Sequence, residues 1–65
     1  MKTGASLART TRVLTDTGMA LPQIEAESIL RHVLELDRAG LFAALDDVLD
    51  SSLLAAVDEL VRRRL

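Results

Sequence analysis

Apolar side chains recur along this chain at three- and four-residue intervals, and residues that start or stop helices separate the runs. In the first run Leu7, Thr11 and Leu14 fall one turn apart, with Thr10 and Val13 beside them. Ser6 is placed to accept from the free N–H groups of a first turn, and Gly18 suits the left-handed residue that ends a helix. The pattern predicts a helix over about residues 6–17. Pro22, whose fixed φ fits a first helical position, opens a second run in which Ala26, Ile29, Leu30, Val33 and Leu34 form one wide apolar face. Glu25 and Glu27 in its first turn complement the helix dipole, and the helix is expected over about 22–36. Asp37 reads as the cap of a short third helix, about 38–45, carrying Leu41, Phe42 and Leu45 and weakened by Gly40. A loop at 46–50 follows, with Val48 and Leu49 expected to turn inward. Asp50 or Ser51 then caps a last helix, about 52–64, with Leu53, Val57, Leu60 and Val61 on its buried side. The predicted fold is all-α, a small bundle of four short helices whose apolar stripes face one another.

Composition agrees with this pattern. Leu, Ala, Glu and Arg are good helix formers, and Phe42 is the sole aromatic residue. Sixty-five residues allow one domain and one core. No Cys is present, which removes disulfides and thiolate metal ligands. Eight basic and ten acidic side chains leave a net charge of −2, against the basic excess that direct nucleic-acid binding favours. The N-terminus has no continuous apolar run, being interrupted by Arg9 and Arg12, so it does not read as a secretory signal. No window is apolar enough to span a membrane, and the expected address is the cytoplasm.

Few residues offer chemistry. Gly4, Gly18 and Gly40 stand apart, so no Gly-rich phosphate loop exists. His32 sits mid-helix with Glu25, Glu27 and Glu35 at helical offsets, which reads as a solvated face rather than a metal site or a catalytic base. Asp46, Asp47 and Asp50 lack the alternation, Gly turn and terminal Glu of a calcium loop. Catalytic, cofactor and metal residues are therefore all assigned as none. Arg62, Arg63 and Arg64 lie where positive charge meets the negative end of the last helix. With Arg9 and Arg12 they are the basic side chains left outside the predicted core, and these five are the candidate partner contacts. The segment Asp50-Ser51-Ser52-Leu53 is similar to the Asp-Ser-Leu site at which carrier proteins attach phosphopantetheine, here with an additional Ser. A carrier fragment modified at Ser51 or Ser52 is thus one alternative, and a free-standing helical interaction module is another.

The stretch Gly18-Met19-Ala20-Leu21-Pro22-Gln23-Ile24-Glu25-Ala26-Glu27-Ser28-Ile29-Leu30-Arg31-His32-Val33-Leu34-Glu35-Leu36-Asp37-Arg38 closely resembles the N-terminal domain of the peptide chain release factor glutamine methyltransferases, the HemK/PrmC family. The shared pattern is a Gly, a Pro-opened helix, an acidic-Ala-Glu triplet, paired aliphatics, His-Val-Leu and then Asp-Arg. It continues through Leu41-Phe42 and Asp46-Asp47 to the closing Leu60-Val61-Arg62-Arg63-Arg64. Two positions depart from it: Leu21 replaces a polar residue before the Pro, and Glu35 stands where the family tends to have Gly. The resemblance implies a noncatalytic, monomeric domain that helps hold a bacterial release factor. The methylation of Gln in the Gly-Gly-Gln loop, and the S-adenosylmethionine it uses, would belong to a separate Rossmann-like domain. Neither the Gly-rich loop nor the Asn-Pro-Pro-Tyr motif of that domain occurs here, so no catalytic or cofactor residue carries over. The chain halts at the end of a helix, and it is expected to be one piece of a longer two-domain protein. Glu25 and Arg38 are expected to pair between the second and third helices.

Overall fold

The computed structural model describes all 65 residues and contains four helices: α1 (Thr3–Asp16), α2 (Pro22–Leu34), α3 (Arg38–Ala43) and α4 (Ser51–Arg64). The all-α expectation holds. The α2 helix lies at the centre and packs against α1, α3 and α4, whereas α1 and α4 touch one another less extensively. Its buried ridge is Ala26, Ile29 and Leu30, met by Leu7 and Leu14 of α1, Leu41 of α3, and Val57 and Val61 of α4. Val33, Leu34, Leu53 and Leu60 close the margins of this core. The radius of gyration, 10.7 Å, is what a fully packed chain of this length should show, about 10.7 Å.

Helix boundaries shift where local signals and tertiary contacts compete. The α1 helix begins at Thr3, and Ser6, expected as its cap, is instead wholly buried within the helix. Lys2 stands at the N-cap and supplies no side-chain bond. The free donors of the first turn are satisfied from elsewhere in the chain. Thr3 N–H donates to the Asp47 carbonyl at 2.8 Å and Gly4 N–H to the Leu45 carbonyl at 2.9 Å. Thr3 Oγ1 adds a 3.1 Å bond to the same Asp47 carbonyl. Leu49 N–H donates to Met1, and Lys2 and Val48 form an antiparallel bridge, so the loop is stitched along the start of α1. Such a pairing sends alternate side chains to opposite sides. Leu49 turns into the core as expected, but Val48 faces solvent, correcting the expectation that both are buried.

The other termini follow local chemistry. Gly18 has φ 81°, Gly18 N–H donates to Thr15 and Met19 N–H to Leu14, the paired bonds of a Schellman stop for α1. At the end of α2, Glu35 takes φ 56°, and Leu36 N–H reaches back to the Arg31 carbonyl. Helix α2 therefore ends at Leu34, two residues earlier than expected, and Glu35 occupies a left-handed position that favours Gly. Asp37 caps α3 by accepting from Gly40 N–H at 2.7 Å, and Asp50 rather than Ser51 caps α4, accepting from Leu53 N–H at 2.9 Å. Helix α3 stops at Ala43, short of the expected Leu45, because the carbonyls of 45 and 47 turn to serve α1. Phe42 is 41% exposed and lies under the Arg38 guanidinium, 5.4 Å from the ring centroid, rather than joining the core.

The expected Glu25–Arg38 pair does not form. Arg38 Nε instead donates to Glu27 Oε1 at 3.0 Å, and Glu25 binds Arg64 of α4. Glu27, 5% exposed, sits on the side of α2 that meets α3, while Glu25 is two residues away and turned toward α4. A separation of two places side chains on different helix faces, so both carboxylates cannot reach one arginine from the same turn. Gln23 Nε2 also donates to Glu27, at 3.2 Å.

Three outcomes follow for stability, each read by thermal or urea unfolding. Glu35→Gly relieves the left-handed strain and should stabilise by about 0.5–1 kcal/mol. A Cβ on Gly4 would lie 3.3 Å from the Leu45 carbonyl that caps α1. Gly4→Val, which adds two methyl groups there, should cost about 1–3 kcal/mol. In double-mutant cycles, Glu27→Ala with Arg38→Ala should show coupling of about 1 kcal/mol, while Glu25→Ala with Arg38→Ala should be additive.

Candidate functional site

The five arginines singled out by the sequence do not share one face. Arg9 on α1 binds Asp58 of α4 at 3.1 Å. Arg62 and Arg63 both turn back to Glu59 on their own helix, at 2.5 Å and 3.5 Å. Arg64 crosses to Glu25 on α2. Arg12 alone among the five has no ion pair, and it lines a hollow between α1, Gln23 of α2 and Leu45. Arg63 and Arg64 instead border shallow hollows between α2 and α4. The helix dipole at the end of α4 is thus joined by explicit carboxylate partners.

Electrostatics at Glu59 show the effect of this crowding. The hydrogen bond from Arg62, then the charge of Arg62, holds its carboxyl below the usual carboxylate range, and Arg62 is raised in turn. A depressed carboxyl contributes stability above its unfolded pKa and loses it as pH falls through the folded value. Both side chains are largely open to solvent, Arg62 at 70% and Glu59 at 49% exposure, so solvent screens most of that contribution.

The remaining chemical candidates disperse. His32 is exposed beside Leu60. Glu27 turns to Arg38 and Glu25 to Arg64, away from any shared ligand position, and no group of three metal-binding side chains converges. Asp50 spends a carboxylate oxygen on its capping bond. Ser51 and Ser52 are exposed in the first turn of α4, directly after that cap. No helix is long and apolar enough to cross a membrane.

A surface feature the arginine set missed lies on the other side of α2. Leu21 and Ile24 are 61% and 60% exposed, the apolar exceptions on the outer side of the α2 entrance. They line a hollow with Thr11 of α1 and Arg38 of α3. It meets the Arg12 hollow through Thr11 and Gln23. At its other end Ile24, Glu27 and Arg38 lead on to Arg31. The signal was present in the sequence, since Leu21 and Ile24 fall outside the stripe at 26, 29, 30 and 33. What could not be read there was that α1 and α3 flank them with arginines.

No curated protein and no solved structure matches the chain. The sequence pattern of one family does match it: PrmC N-terminal domain, over residues 5–65. That span takes in all of α2, α3 and α4 and most of α1, including the segment from Asp50 to Leu53 that is similar to a carrier-protein site. With nearly every residue of a four-helix domain inside the match, this chain belongs to the PrmC N-terminal domain family.

Proposed function

We propose that this chain is the release-factor-recognition domain of an S-adenosylmethionine-dependent protein glutamine methyltransferase, and that its parent enzyme modifies the Gly-Gly-Gln loop of peptide chain release factors. The observation that carries this reading is the family match over residues 5–65. The local chemistry is consistent with a holding role. Acidic and basic side chains are used in caps and interhelix pairs rather than gathered around a reacting centre.

The cofactor does not fit the residues present. A nucleotide-type cofactor needs a Gly-rich turn between a strand and a helix, so that backbone N–H groups can approach it. Here Gly4 lies in the first turn of α1, Gly18 ends α1 and Gly40 lies inside α3, with no strand beside any of them. S-adenosylmethionine and methyl transfer are accordingly assigned to a second, catalytic domain, and this chain to holding the substrate as a monomer in the cytoplasm. Of the five arginines proposed as contacts, Arg12 can meet a partner without giving up an ion pair within the domain.

An NMR titration of the labelled chain with a purified bacterial release factor tests the reading. Saturable amide shifts confined to one face are the expected result. Absence of shifts at high micromolar concentration would overturn recognition by this domain and favour a helical module with another role.

A further inference from the structure

The chain contains seven arginines, and five of them are held by carboxylates of the same molecule. The two that are not, Arg12 and Arg31, border the first and last of three adjoining hollows that share lining residues across α1, α2 and α3. Between them lie the exposed side chains of Leu21 and Ile24 and the guanidinium of Arg38. Glu27 is the one acidic residue lining these hollows, and its side chain is 6% exposed and bound by Arg38. The surface is therefore positive and partly apolar, on a chain whose net charge is −2.

We infer that these hollows together form the partner-binding face and that it takes an acidic protein segment carrying one or two apolar side chains. The inference rests on the recognition reading above and names the surface and partner chemistry for it. Unpaired arginines at the two ends would meet carboxylates of the incoming segment, while Leu21 and Ile24 receive its apolar groups. Unlike charges steer association and fix register, and apolar burial slows departure. A partner carboxylate at Arg12 or Arg31 meets an uncompensated charge, whereas one at Arg9, Arg62, Arg63 or Arg64 meets a charge already offset by Asp58, Glu59 or Glu25. The Arg38 guanidinium is already fixed between Glu27 and the Phe42 ring, so it presents its outer edge at little further cost in order. A net charge of −2 over the whole chain disfavours approach to an anionic lipid surface, whereas a short acidic segment need meet only this face.

The test compares the wild-type chain with Arg12→Glu/Arg31→Glu, Ile24→Asp and Arg63→Glu in release-factor titrations, each variant first shown to keep its helical circular dichroism and unfolding midpoint. The double reversal should weaken binding about tenfold or more at low salt, with the difference shrinking as ionic strength rises. Ile24→Asp should weaken it at every salt concentration, and Arg63→Glu should leave it within about twofold. Undiminished binding by the double reversal and by Ile24→Asp, whatever Arg63→Glu does, would overturn this surface while leaving the recognition function standing. Failure of the wild-type chain to bind would overturn both. Sedimentation of the wild-type chain with phosphatidylglycerol vesicles, abolished by the double reversal, would reassign the face to a membrane and overturn a protein partner.

Discussion

The start of α1 is held by the backbone of the α3–α4 connection, and the rest of the arrangement depends on that tie. Four N–H groups at any helix start lack partners within the helix, and burying them unmet is costly. Here the carbonyls of Leu45 and Asp47 meet two of them, and Leu49 returns a bond to Met1. The exchange fixes α1 against the far end of the chain, which places Leu7 and Leu14 over the Ala26, Ile29 and Leu30 ridge. Thr3, buried with Ser6 and Thr10 on α1, adds its hydroxyl to the same tie through the Asp47 carbonyl.

Charge is partitioned with comparable economy. Glu25 and Glu27 stand two residues apart and serve different neighbours, tying α2 to α4 and to α3. Arg9 joins α1 to α4 through Asp58. Each pair is at least partly exposed and individually weak, so these contacts orient helices that apolar burial already holds together. Once they are made, the two arginines left without a carboxylate partner border hollows adjoining the one lined by exposed Leu21 and Ile24.

The family pattern and the structure illuminate each other at Glu35. The resemblance leads one to expect Gly at this position, and the backbone here adopts the left-handed conformation that Gly meets without strain. The α2 stop is therefore set by the fold around it rather than by the residue that fills it. Surface legibility was poorer. Selecting arginines by their absence from the core gave Arg9, Arg12, Arg62, Arg63 and Arg64, but exposure alone does not tell a free cation from one already neutralised. Arg31, on the outer face of the amphipathic α2, is unremarkable in one dimension and has no carboxylate partner in the fold.

What the sequence determined by itself is what depends on near neighbours along the chain. Helical periodicity, the Pro22 start, the Gly18 stop, the cap at Asp37 and a cap at Asp50 or Ser51 each rest on contacts within a turn or two, and each was readable. Tertiary structure decided what depends on partners far apart in sequence. It started α1 at Thr3 rather than Ser6 and ended α3 at Ala43, because a distant loop supplied the hydrogen bonds that local capping would otherwise have had to make. It turned Val48 outward through the pairing with Lys2, and it gave Arg38 to Glu27 instead of Glu25. The physical reason is the same throughout: helix propensity and capping are local energies, whereas which charge is spent and which is left for a partner is fixed only when the helices meet.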